Sequence, residues 1–179
     1  MSWILTATGR HFSYTDPRPE DIHILDIAQG LANEARYNGH TRAFYSVAQH
    51  AWLASRIVPA EHALEALLHD SSEAYCKDIP RPLKQLLPDY QAIEERVETI
   101  IRARFDLPGA MSPAVKHADL VLLATERRDL MPDDATPWQI LANIEPLPRK
   151  IIAMQPSRAQ AIFLKRYVEL TTTENRRAA

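Results

Sequence analysis

The chain has 179 residues, of which 46% are hydrophobic and 25% charged, the composition of a globular protein large enough to bury a core. Its formal net charge of -2, with both signs interspersed, offers no electrostatic footprint for polymeric nucleic acid. A single cysteine, Cys76, excludes an internal disulfide framework, and no apolar run approaches the roughly 18 residues of a membrane-spanning helix. The start, "MSWILTATGRHF", lacks the charged opening and long apolar stretch of a secretory leader. The expectation is one cytoplasmic domain over 1–179, with no membrane partner.

Only 4 glycines stand against 13 prolines, and the prolines mostly fall between periodic segments, so helices dominate the expected fold. The exception is the N-terminus. There "ILTATGRHFSY" alternates around Thr8-Gly9 and reads as a short β-hairpin within 1–15. Helical spacing follows over 23–36, with Ile24, Ile27, Leu31 and Ala35, and over 43–57, which is apolar on most sides. A third helix is expected over 60–76 and a fourth over 89–105, where Ile93, Val97, Ile100, Ile101 and Phe105 share a face. A fifth over 113–130 opens on Ser112 as N-cap and Pro113 at the first helical position. A Pro-rich connection, 132–150, leads to a last helix near 157–171, and 171–179 reads as a frayed tail.

Ionisable residues fall on the apolar stripes of three of these helices. Val47, His50, Ala54 and Ile57 form one stripe. Ala63, Ala66 or Leu67, Asp70 and Ala74 form a second, and Val115, Asp119, Leu122 and Glu126 a third. His69 is adjacent to Asp70, about 100° around a helix, so both side chains can reach one ion. Each residue alone has an ordinary explanation. His50 can be a hydrogen-bonded core histidine, Asp70 a cap, and Asp119 a partner for His117 or an arginine. Together they supply two imidazoles and two carboxylates, a donor set suited to a first-row divalent metal that keeps open positions for water and substrate.

The order His50 … His69-Asp70 … Asp119 resembles that of the HD-domain metal-dependent phosphohydrolases. The stretch "HDSSEAYCKDIPRPLK" is similar to the HDxxE…D-[IL]-P-x-P-x-K segment of their small 5′-deoxynucleotidase branch, with Glu73, Asp78, Pro80, Pro82 and Lys84 in place. "RYNGHTRAFYSVAQH" resembles the segment of that branch that runs to the first metal histidine, and "ADLVLLATERRDL" extends the likeness. Coverage is nearly full length and strongest over 36–130. Compact prophage HD phosphohydrolases and phage dATP triphosphohydrolases are similar. One departure is Tyr37, where the deoxynucleotidases carry tryptophan.

The resemblance implies an all-α fold, a compact HD-domain helical bundle with the short N-terminal hairpin. It implies one divalent cation (Mn, Co, Mg, Zn or Fe) on His50, His69, Asp70 and Asp119, and hydrolysis of the 5′-phosphate of a deoxynucleotide by metal-activated water. Glu73 would orient or deprotonate that water; Asp78 would protonate the leaving group or bind the sugar. Arg36 is the preferred phosphate clamp and Lys84 a second candidate, with Tyr37 against base or sugar; Arg42, Arg81 and His40 are weaker candidates. A deoxynucleoside di- or triphosphate is the alternative substrate. A catalytically silent, metal-stabilised interaction module is the alternative of another class. Relatives of this kind assemble, so a homo-oligomer is expected.

Overall fold

The computed structural model describes residues 2–178, with side chains described through 172. It is an all-α bundle with a two-stranded antiparallel hairpin at its start. Strand β1 (Trp3–Leu5) pairs with β2 (His11–Ser13) in the register Ile4 to Phe12. Gly9 turns the chain at φ +80, a conformation that costs glycine nothing. Asp26, in the first turn of α1 (Ile24–Asn33), accepts the Thr8 amide at 2.7 Å and the Thr8 hydroxyl at 2.6 Å. That carboxylate rivets the hairpin to the bundle, and Phe12 is buried in the core.

The helices expected over 23–36 and 43–57 are shorter on their facing ends. Helix α1 stops at Asn33, and α2 (Val47–Ile57) starts only after Ser46, whose hydroxyl accepts the Gln49 amide at 3.2 Å. Between them Ala35 and Ser46 form an isolated antiparallel bridge, and the Arg36 amide donates to the Tyr45 carbonyl at 3.0 Å. Backbone bonding across the base of this loop satisfies groups that a continued helix would have used internally.

The helix expected over 60–76 is broken. A 3-10 turn at Ala60–His62 precedes α3 (Ala63–Leu68), and α4 (Glu73–Cys76) resumes after an interruption at residues 69–72. His69 Nδ1 donates to the Ala66 carbonyl at 2.8 Å, taking an acceptor from the helical ladder. The chain then tightens into three-residue bonds, Ser71 amide to Leu68 carbonyl and Glu73 amide to Asp70 carbonyl. Helical periodicity alone cannot register such side-chain competition.

A single turn, α5 (Arg81–Lys84), follows Pro80. Helices α6 (Pro88–Arg104) and α7 (Pro113–Leu130) match expectation within a residue, and the Ser112 hydroxyl caps α7 through the Val115 amide. The Pro-rich connection contains a 3-10 turn, Gln139–Leu141, before α8 (Pro156–Ala178). The tail expected over 171–179 lies largely outside the described side chains. No helix among the described residues is long and apolar enough to cross a membrane.

Helix α2 is central, packing on α1, α3, α7 and α8. Its Val47, Ala48, Ala51 and Ala54 are fully buried, small enough to let neighbouring backbones approach. Gly30 does the same between α1 and α4: a Cβ there would lie 2.8 Å from that of Ala74. The polar residues that follow α3 and those of α7 therefore meet His50 of α2.

Candidate metal centre

His50 is fully buried on α2, and its Nε2 faces three other donors. It lies 3.4 Å from His69 Nε2, 3.5 Å from Asp70 Oδ2 and 3.2 Å from Asp119 Oδ1. His69 Nε2 is in turn 3.2 Å from Asp70 Oδ2. Metal–ligand bonds of about 2.0–2.2 Å at tetrahedral or octahedral angles set neighbouring donors about 2.8–3.6 Å apart. All four separations fall in that interval. His50, His69 and Asp119 form a group that can hold a metal ion, and Asp70 borders both histidines at ligand spacing.

The histidine tautomers are set by their other nitrogens. His50 Nδ1 meets Glu126 Oε1 at 2.6 Å and His69 Nδ1 meets the Ala66 carbonyl at 2.8 Å. Both partners only accept, so both Nδ1 atoms carry the proton and both Nε2 lone pairs point at the same space. A proton shared there serves one or two of four acceptor atoms; a divalent cation serves all of them. The donor chemistry thus fits a metal.

Proton affinities in the metal-free cluster follow the same competition. Burial and Arg36 push His50 down, but Glu126 and Asp119 outweigh them and lift it to about 9. Burial pushes Asp119 up, and the His50 bond and charge draw it well below the usual carboxylate range. Glu73 is the opposite case. Burial, then Asp70 and Asp78, hold its carboxyl well above the usual range, and its Oε2 is buried without a hydrogen-bond partner. Asp78 is also raised, chiefly by burial against the pull of Arg36.

Glu126, on the same α7 stripe as Asp119, received no role from sequence and proves to be the hub. Its Oε2 accepts from Arg36 Nε at 3.2 Å and from the Tyr37 hydroxyl at 2.6 Å; its Oε1 accepts from the Tyr45 hydroxyl at 2.9 Å and from His50. Arg36 and His50 draw this carboxylate, against burial, down to about 2. A carboxylate at a buried stripe position was a usable signal in the sequence; Tyr45 left none. Around this hub the chain runs through a left-handed Tyr37-Asn38-Gly39, with φ of 56, 52 and 78. Left-handed non-glycine residues cost free energy unless their surroundings hold them, and the Tyr37 phenol is held by Glu126.

A cavity of about 640 Å³ opens beside the cluster. Asp119, Asp78, Arg36 and Tyr37 line it, as do Pro80, Arg81 and Pro82. Arg36 is nevertheless tied to Glu126 and stands 3.5 Å from Asp70, and Tyr37 turns its hydroxyl away onto Glu126. Lys84 is not among the lining residues; its ammonium pairs with Glu94 at 2.7 Å and lies over the Tyr90 ring. Arg42 binds Asp133 at 2.8 Å, and His40 lines the cavity.

Fold and cluster define a class: an all-α bundle with a buried histidine–carboxylate group of metal-ligating geometry. The chain is 49% identical over 172 residues to the uncharacterized protein YfdR of Escherichia coli strain K12, covering 96% of the chain and 97% of YfdR. It therefore belongs to the YfdR family. An uncharacterized protein of Rhodobacter capsulatus is 35% identical over 127 residues, 65% of each chain. No family model matches the chain.

Proposed function

We propose that the protein is a metal-dependent phosphohydrolase acting on the 5′-phosphate of deoxynucleotides, with one divalent cation held by His50, His69, Asp70 and Asp119. The observation that carries this reading is the meeting of two tautomer-fixed Nε2 atoms and two carboxylate oxygens at 3.2–3.5 Å, beside a cavity that Asp119 lines. The resemblance of "HDSSEAYCKDIPRPLK" to the deoxynucleotidase segment supports it from the sequence side. When bound, such a cation acidifies coordinated water and polarises a phosphoryl oxygen.

The chain's own groups divide the remaining work. Glu126 holds the His50 tautomer, and Ala66 that of His69. Glu73, whose Oε2 is buried without a hydrogen-bond partner, accepts the proton of an attacking water. Asp78, raised and on the cavity wall, delivers a proton to the leaving 5′-oxygen. Arg36 supplies positive charge toward the phosphoryl group, its fork braced by Glu126. Lys84, held by Glu94, opposes the rise of Glu73 and Asp78 from a distance.

A second reading, hydrolysis of a deoxynucleoside di- or triphosphate, is favoured by Arg81. Its side chain lines the cavity with no ion-pair partner among the described residues, a cation free to meet an outer phosphate. The test is a panel of deoxy- and ribonucleoside mono-, di- and triphosphates with Mn²⁺, Co²⁺, Mg²⁺ and Zn²⁺. Orthophosphate from monophosphates supports the first reading; pyrophosphate or tripolyphosphate moves the assignment to the second. Absence of turnover throughout leaves the metal-stabilised interaction module. Glu73→Gln is expected to retain metal and lose turnover.

A further inference from the structure

The cavity beside the cluster also carries a lining chemistry that the hydrolytic residues do not use. Besides Asp119, α7 contributes Leu120 and Leu123 to its lining, and Pro80 and Pro82 line it as well. Trp138, from the Pro-rich connection, is a further lining residue. Its indole is not loosely attached. Arg127 lies over the ring at 5.0 Å, and the same guanidinium donates to the carbonyls of Asp134 at 3.1 Å and Thr136 at 2.5 Å. One arginine on α7 thus straps down residues 134–138 and backs one face of the indole, leaving the tryptophan to line the cavity. Two solvent-exposed carboxamides, Asn38 and Gln139, also line the cavity, and neither has a side-chain hydrogen-bond partner among the described residues.

Apolar walls, a braced aromatic plane and unoccupied amide groups suit one kind of occupant: a flat, uncharged heteroaromatic ring with donors and acceptors on its edge. We propose that this chamber is a nucleobase site, with Trp138 as its specificity-determining residue, stacking the base while Asn38 and Gln139 meet its edge. The proposal rests on the phosphohydrolase reading above, because it is the metal cluster that places a 5′-phosphate beside Asp119. Base–aromatic stacking is tolerant of base identity, so Trp138 sets the demand for a base, and the amides modulate which one.

The experiment compares kcat/KM for deoxynucleoside 5′-monophosphates with that for 2-deoxyribose 5-phosphate, which carries the same phosphate and no base. In the intact protein the nucleotides are preferred; in Trp138→Ala that preference falls by about tenfold or more, carried by KM. Trp138→Phe retains most of it, which excludes misfolding as the cause. An equal preference in intact protein and Trp138→Ala overturns the nucleobase site and leaves the phosphohydrolase reading standing. If neither compound is turned over, titration with thymidine and deoxyadenosine decides. Binding that is lost in Trp138→Ala keeps the base site while the hydrolytic reading falls, and absence of binding removes both.

Discussion

His50 Nδ1 donates to Glu126 Oε1 at 2.6 Å, with both side chains fully removed from solvent. This bond couples stability to site chemistry. The carboxylate that aims the His50 lone pair is the one that neutralises Arg36 and holds the Tyr37 turn. Removing it leaves the buried guanidinium with only the longer Asp70 contact at 3.5 Å and frees the imidazole at once. Glu126→Ala is therefore expected to lose about 3–5 kcal/mol of unfolding free energy in denaturant titration. Glu126→Gln, which keeps the volume, should cost less and still weaken divalent-metal binding by about 10- to 100-fold in calorimetric titration.

The same pair shapes stability against pH in the metal-free protein. Glu126 is held near 2, below its unfolded value of 4.5, so its contribution is present above about pH 4.5 and is lost as pH falls through about 2. His50 is lifted from 6.5 to about 9, so its contribution is full below about pH 6.5 and is lost as pH rises through about 9. Thermal melting over pH 2–10 should show both flanks. A saturating divalent cation should lift the alkaline flank, since metal binding uses the unprotonated Nε2. An alkaline flank unchanged by metal would count against His50 as a ligand.

Asp70 and Asp119 can each be tested as ligands by substitution. Asp119→Ala removes a donor from the three-residue group around His50, and bound metal should fall to a trace by elemental analysis. Asp70→Ala removes the residue that borders both histidines, at 3.5 Å and 3.2 Å, and also faces Arg36. With four ligands, its loss should weaken binding to a degree similar to Asp119→Ala. Metal retention at wild-type affinity would restrict the ligand set to the other three.

Gly30→Ala tests how tightly α4 is seated. The new methyl would lie 2.8 Å from Ala74 Cβ and 2.9 Å from the Ala74 carbonyl oxygen, so backbone must shift. Overpacking of this kind costs about 1–3 kcal/mol, readable as a lowered melting temperature. Because Ala74 follows Glu73, turnover should fall more than metal affinity. A variant as stable and active as the parent would show that α4 has room to move.

Much of the architecture was legible because its causes are local. Ser112-Pro113 opens α7 where expected, since a hydroxyl and a proline act within one turn of themselves. The stripes that bring His50 and Asp119 inward are likewise periodic properties of single helices. What periodicity missed are the places where a side chain takes over a backbone group. His69 captures the Ala66 carbonyl and breaks the helix expected over 60–76, so Glu73 starts a new helix and does not continue the old one. Lys84 pairs with Glu94 on α6, a contact between residues ten apart that helical spacing does not reveal.

By itself the sequence determined the helical class, the hairpin, and which imidazoles and carboxylates face inward, because burial of apolar stripes is dictated by short-range order. Tertiary structure decided how those donors are aimed and which cations remain free. Glu126 meets His50 across 76 positions, where α7 packs against α2, and Tyr37 across 89, on the turn that precedes α2.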